Sequence, residues 1–385
     1  MDEAHADLPV TARALVLGGG APNATLMAGA VHAFLEQDVH FDIVSTSGAG
    51  ALVGLLYLAP RGRTPSEALE QTLNSSIDDR IYSLLPVNYK VFQKPLPYGE
   101  LYRDVAKLWL QLNPFYSDNP KNERQRLISD WLALIAAMAL PFEVTPFSKG
   151  MCANVPFVDD IVDFDRLHAL REPEFYLNAY NICDRRMECF SGATLTAEHF
   201  RAAMAFPFIY PPVEIGGKYY YEGAAHDCLN YTGLLYEEPP AEDDTPAVWV
   251  DRLRPVFRTA GRKEIVVLDV MGADELIRVP RDLWDAYNIS IITPLVEIAR
   301  DDTKLFEQVY LPKINAELKR RGQGTEIVLR KVDFRQLMDD RLWANSLDWE
   351  YSNAKNLFEL GRKAAQRAIP ALERVLEPAL EEMRR

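Results

Sequence analysis

Apolar residues in the first part of the chain follow two alternating periods. Ala14-Leu15-Val16-Leu17 is an unbroken run that stops at Gly18-Gly19-Gly20, the pattern of a buried strand entering a tight loop. Met27, Ala30, Val31, Phe34 and Leu35 then recur at helical spacing. Phe41-Asp42-Ile43-Val44 predicts a second buried strand, followed by the small-residue turn Ser45 to Gly50 and a helix starting around Ala51. Strand, helix, strand, helix in such quick succession implies a parallel sheet joined by right-handed crossovers.

Further along, the pattern loosens. Residues 60 to 150 form an irregular insert with turn-rich stretches such as Tyr116-Ser117-Asp118-Asn119-Pro120. Inside it, the apolar run Trp131 to Leu140 ends at Pro141. It is too short to span a bilayer and suits a core helix or a lid lining an acyl pocket. Strand character returns at Phe175 to Tyr180, Glu264 to Val270 and Glu326 to Val332. Between the first two lies Glu237 to Asp244, acidic and proline-containing, which reads as an exposed loop. Leu357, Leu360, Ala364, Ala368, Leu372 and Leu376 mark an amphipathic tail helix. The expected class is α/β, a mostly parallel sheet flanked by helices. Residues 10–235 form the core, with the helical insert, and residues 236–385 complete or extend the same domain as strands and helices.

Composition narrows the partners. Of 385 residues, 48% are hydrophobic and 25% charged, enough for a sizeable core. A formal net charge of -14 argues against nucleic acid and against simple adhesion to anionic lipid. The N-terminus, Met1-Asp2-Glu3-Ala4-His5, carries acids where a signal peptide needs bases, so a cytoplasmic location is expected. Cys152, Cys183, Cys189 and Cys228 lack CxxC spacing and read as small buried thiols. The histidines have no ligand spacing, so no metal site is expected, and the acyl chemistry read below calls for no organic cofactor.

Two segments carry the candidate chemistry. Glycines between a strand and a helix let backbone N–H groups approach an anion closely. A phosphate loop would need GxxxxGK[ST] or GxGxxG with a later acid, and Gly18-Gly19-Gly20 has neither. An oxyanion loop for acyl chemistry remains, beside a plain tight turn. Val44-Ser45-Thr46-Ser47-Gly48-Ala49-Gly50 sits where a hydrolase lifts its serine on a sharp strand-to-helix turn.

Together these segments resemble the patatin-like phospholipase family. A third stretch, Phe206 to Pro212 followed by Gly217-Lys218-Tyr219-Tyr220-Tyr221-Glu222-Gly223-Ala224, is similar to the family's run into its Asp-Gly-Gly or Asp-Gly-Ala motif. The resemblance covers roughly residues 13 to 230. It implies a lipid acyl hydrolase working through a Ser–acid dyad, with a lipid or other acyl ester as substrate and room for peripheral contact with a membrane. The site residues it implies are Ser47 as nucleophile and Glu222 as base. Gly18, Gly19, Gly20 and Gly48 would be the oxyanion donors. His226, just beyond Glu222, is a lesser candidate. The motifs depart from the family: Pro22 and Asn23 stand where it has Arg and Gly, and Glu222 where it has Asp. The elbow admits two registers. One makes Ser47 the nucleophile. The ungapped match from Asp42 to Gly54 puts Gly48 there, which implies an inactive fold that binds an acyl ligand or a protein.

Overall fold

The computed structural model describes residues 8–20, 23–76, 78–80, 157–207, 210–241, 243–280, 283–346, 348 and 350–372, with scattered positions between 105 and 132. The apolar runs become an 8-stranded mixed sheet. Its strands are β1 (Val10–Leu17), β2 (Ile43–Thr46), β3 (Glu174–Asn181), β4 (Arg186–Ser191), β5 (Val213–Ile215), β6 (Lys218–Glu222), β7 (Gly261–Leu268) and β8 (Thr325–Lys331). Hydrogen bonding runs β5-β6-β3-β2-β1-β7-β8, with β4 also on β3. The parallel part is β3, β2, β1, β7 and β8. The antiparallel part, β4, β5 and β6, gathers around β3.

Central position explains the sequence pattern. β7 is buried along its whole length and β1 along nearly all of it, so neither alternates in polarity. β7 and β8 come from beyond residue 236 yet extend the sheet next to β1, so both halves of the chain share one core.

Four helices matter below: α1 (Ala24–Glu36), α2 (Gly50–Leu58), α3 (Leu283–Leu305) and α4 (Tyr351–Ala368). α1 and α2 are the two crossovers read from the sequence, and α4 is the tail helix. α4 crosses α1 with almost no space between backbones. A Cβ at Gly29 would overlap Phe358 O, and one at Gly361 would overlap Leu26 O. Of the run Trp131 to Leu140, all but Leu132 lies outside the described residues. No helix among the described residues is long and apolar enough to cross a membrane.

Candidate functional site

The site is assembled on β3. β4 occupies one edge of β3, pairing with Tyr176–Asn181. The other edge is shared end to end. β2 pairs with Glu174–Leu177 in parallel, while β6 pairs with Ala179–Asn181 in antiparallel sense. The two strands therefore run toward each other, and their last residues, Thr46 and Glu222, flank Asn178. This is how an elbow and an acid far apart in sequence come face to face.

β1 brings the glycine loop to the same place. Leu17 and Thr46 end side by side, and Ser47 N–H donates to Leu17 O at 3.0 Å. Gly19 packs so tightly on the segment after Glu222 that an added Cβ would lie 2.5 Å from Ala224 Cβ. Gly18 N–H donates to Leu268 O (3.2 Å) and Gly19 N–H to Cys228 O (3.1 Å). Two of the expected oxyanion donors are thus committed to the frame. The N–H groups of Gly20, Gly48 and Ala49 have no acceptor among the described residues.

The hydroxyls leading into the elbow are also committed. Ser45 Oγ donates to Asn230 O (2.9 Å) and Thr46 Oγ1 to Tyr176 O (3.0 Å). Ser47 Oγ lies 2.7 Å from Asn178 Oδ1 and 2.8 Å from Asp227 O, both acceptors for its single proton. Ser45, Thr46 and Ser47 are fully buried. They fasten the end of β2 to β3 and to the segment after β6.

Gly48 is different. Its φ is +49°, the left-handed region that a strained elbow imposes on its top residue. A Cβ built there would overlap Glu222 Oε1 and sit 2.9 Å from Ala224 Cβ. The side-chain direction at position 48 therefore faces Glu222, whereas the Ser47 hydroxyl bonds to Asn178 and Asp227.

Glu222 is 9% exposed, and its carboxyl has no hydrogen-bond or ionic partner among the described residues. Burial alone raises it from its ordinary 4.5 to about 8. Between those values the unfolded chain has lost the proton and the folded chain keeps it. Stability therefore falls as pH rises through this window. Glu222→Gln is expected to abolish that slope. Its unfolding free energy, compared with the wild type in denaturant titrations, should gain on the order of a few kcal/mol between pH 5 and pH 8.

Other predicted residues lie nearby. His226 stacks on Tyr180 at 3.8 Å between ring centroids, and burial lowers its pKa. Pro22 lies outside the described residues, whereas Asn23 is buried, with Nδ2 donating to Val270 O at 2.8 Å. Cys228 is a buried thiol as expected. Cys183 and Cys189 are instead exposed, the first on the turn between β3 and β4 and the second on the edge strand β4. Cys152 lies outside the described residues. Among the described residues no group of three or more His, Cys, Asp or Glu side chains could hold a metal ion.

Sequence reading missed Asn178, a polar residue inside the apolar strand Phe175 to Tyr180 and the pivot of the site. It also missed Asp302 on α3. Asp302 Oδ2 accepts from Cys228 N–H at 2.6 Å and so ties α3 to the carbonyl that holds Gly19.

VipD of Legionella pneumophila is 15% identical, with a TM-score of 0.30, over 91% of this chain and 67% of VipD. The type III effector ExoU is 16% identical, with a TM-score of 0.31, over 94% of this chain and 53% of ExoU. ExoU from Pseudomonas aeruginosa in complex with SpcU is 14% identical, with a TM-score of 0.26, over 93% and 53%. The chain thus spans about half the length of ExoU. No curated protein matches it significantly. The family profile of the patatin-like phospholipases, by contrast, matches residues 15–235, from the middle of β1 to just past the Glu222 segment, and the chain belongs to that family.

Proposed function

We propose that this chain is a patatin-like acyl-binding protein in which Gly48 stands where the nucleophilic serine would be, so that it holds its ligand without serine-hydrolase chemistry. The observation that carries this reading is the geometry at Gly48: positive φ, a side-chain direction aimed at Glu222, and no hydroxyl. Covalent acyl transfer needs an oxygen at that point, within reach of a base on one side and of the oxyanion amides on the other. Glu222 supplies the acid, and the amides of Gly20, Gly48 and Ala49 supply donors. For Ser47 to act in a dyad with Glu222, its hydroxyl would have to leave Asn178 and Asp227 and turn through the elbow. A lipid or other acyl compound is the natural ligand of such a site, and contact with a lipid surface would deliver it.

Ser47→Ala tests the assignment. It should cost about 1–3 kcal/mol in unfolding free energy, because Asn178 Oδ1 and Asp227 O lose a buried donor. Turnover of short-chain nitrophenyl esters should stay at the wild-type background. A wild-type esterase rate well above background that Ser47→Ala abolishes would instead establish the hydrolase reading.

A further inference from the structure

The elbow holds buried polar groups that the frame does not use. Gly48 and Ala49 are buried, and neither N–H has an acceptor among the described residues. Buried backbone donors are rarely left unpaired, so such a pair marks a place where an acceptor belongs. Both amides precede α2, whose N-terminus adds a partial positive charge. The second observation is independent. The Glu222 carboxyl, nine-tenths buried and without a partner among the described residues, reaches Gly48 from the end of β6, its Oε1 occupying the place a Cβ on Gly48 would take.

These groups differ in what they can hold. Two amides take one oxygen. A carboxylic acid offers a single O–H to a second oxygen. A ligand that satisfies both has two acceptor oxygens on one carbon, the arrangement of a carboxylate. An ester fits worse. Its carbonyl could take the amides, but its other oxygen is a poor acceptor carrying an alkyl group where Glu222 stands. Resting on the acyl-binding reading above, we propose that the site binds the head group of a free long-chain carboxylic acid, with one oxygen on the Gly48 and Ala49 amides and the other accepting the Glu222 proton. Acid and carboxylate share one proton, so the buried pair carries a single charge, set against the amides and the helix terminus.

The pairing makes binding depend on the Glu222 proton. The titratable groups around it are His226 and Asp227 on its own segment, with Asp302 and Asp269 behind Cys228. None of them contributes to its shift, which comes from burial. On β3, Asn178 lies in register between Thr46 and Glu222 and Tyr180 stacks on His226, while the elbow and glycine loop present no titratable group.

Isothermal titration of the full chain with laurate and with methyl laurate tests the proposal. Laurate should bind at pH 6.5, with the ester at least about tenfold weaker. Above pH 8 wild-type affinity for laurate should fall, approaching about tenfold per pH unit. Glu222→Gln, which keeps an N–H donor but cannot titrate, should remove that fall while still binding. Glu222→Leu, similar in size and without a donor, should lose about tenfold at pH 6.5, with thermal melting to verify that it is folded. Equal affinity for acid and ester, or Glu222→Leu binding laurate as well as the wild type, overturns the proposal but leaves the acyl-binding reading standing. Absence of binding by either compound overturns both. Hydrolysis of the ester that Ser47→Ala abolishes overturns the underlying reading itself.

Discussion

Changing Gly48 to serine and Glu222 to aspartate together is expected to give the protein an esterase activity that neither change gives alone. The two departures from the family pattern fit each other sterically. The longer Glu222 side chain brings Oε1 into the space a Cβ at position 48 would take. Serine added alone would meet the carboxyl oxygen in a left-handed conformation that already disfavours a side chain. Gly48→Ser should therefore destabilise the fold by about 1–3 kcal/mol and stay near background in activity. Aspartate at 222 withdraws the carboxyl by about 1.5 Å, one carbon–carbon bond, and clears room for the hydroxyl. The double variant then has a nucleophile, a base beside it, the Ala49 amide in the same turn and the Gly20 amide in the glycine loop after β1. Ester hydrolysis at least about 100-fold above wild type is expected, measured on nitrophenyl esters. A double variant that folds but stays at background would mean that the two positions are not a displaced dyad.

The largest effect on stability is expected far from this site, where α4 lies across α1. Glycine at 29 and at 361 lets each backbone touch the other helix, and a methyl group at either position would overlap a carbonyl oxygen. Neither oxygen belongs to a side chain that can swing away, so the helices must separate to admit the methyl. Gly29→Ala and Gly361→Ala should each cost on the order of 3 kcal/mol or more, even though alanine favours a helix more than glycine does. Thermal melting of each variant would test this. A small rise in melting temperature, as helix propensity alone predicts, would contradict the close crossing.

Much of this fold is legible along the chain, for a physical reason. β1, α1, β2 and α2 are buried, and their apolar runs are bounded by glycines and small residues, so periodicity marks them clearly. The edge strand β4, Arg186–Ser191, is half-exposed and mixed in polarity and gives no such signal. α3 mixes polar and apolar residues around Pro294, so it too escapes a reading by runs. The candidate site was legible in its parts and illegible in its arrangement. Glycine loop, elbow and acid can each be found by motif. The end-to-end meeting of β2 and β6 on β3 is a non-local pairing that no local pattern records. The elbow is the sharpest case. Ser47-Gly48-Ala49 reads equally well as serine followed by small residues or as a glycine at the top. What the sequence does not record is that the side-chain direction at 48 faces Glu222 while the Ser47 hydroxyl bonds to Asn178 on β3 and Asp227 after β6.

The central claim, that Gly48 holds the nucleophile's place and Ser47 is structural, is tested most directly by intact-mass measurement of the purified wild-type chain after incubation with a fluorophosphonate probe. The account predicts an unmodified mass for the wild type and a single adduct on the Gly48→Ser/Glu222→Asp variant, mapped to residue 48 by peptide analysis. A single adduct on wild-type Ser47, lost in Ser47→Ala, would contradict it.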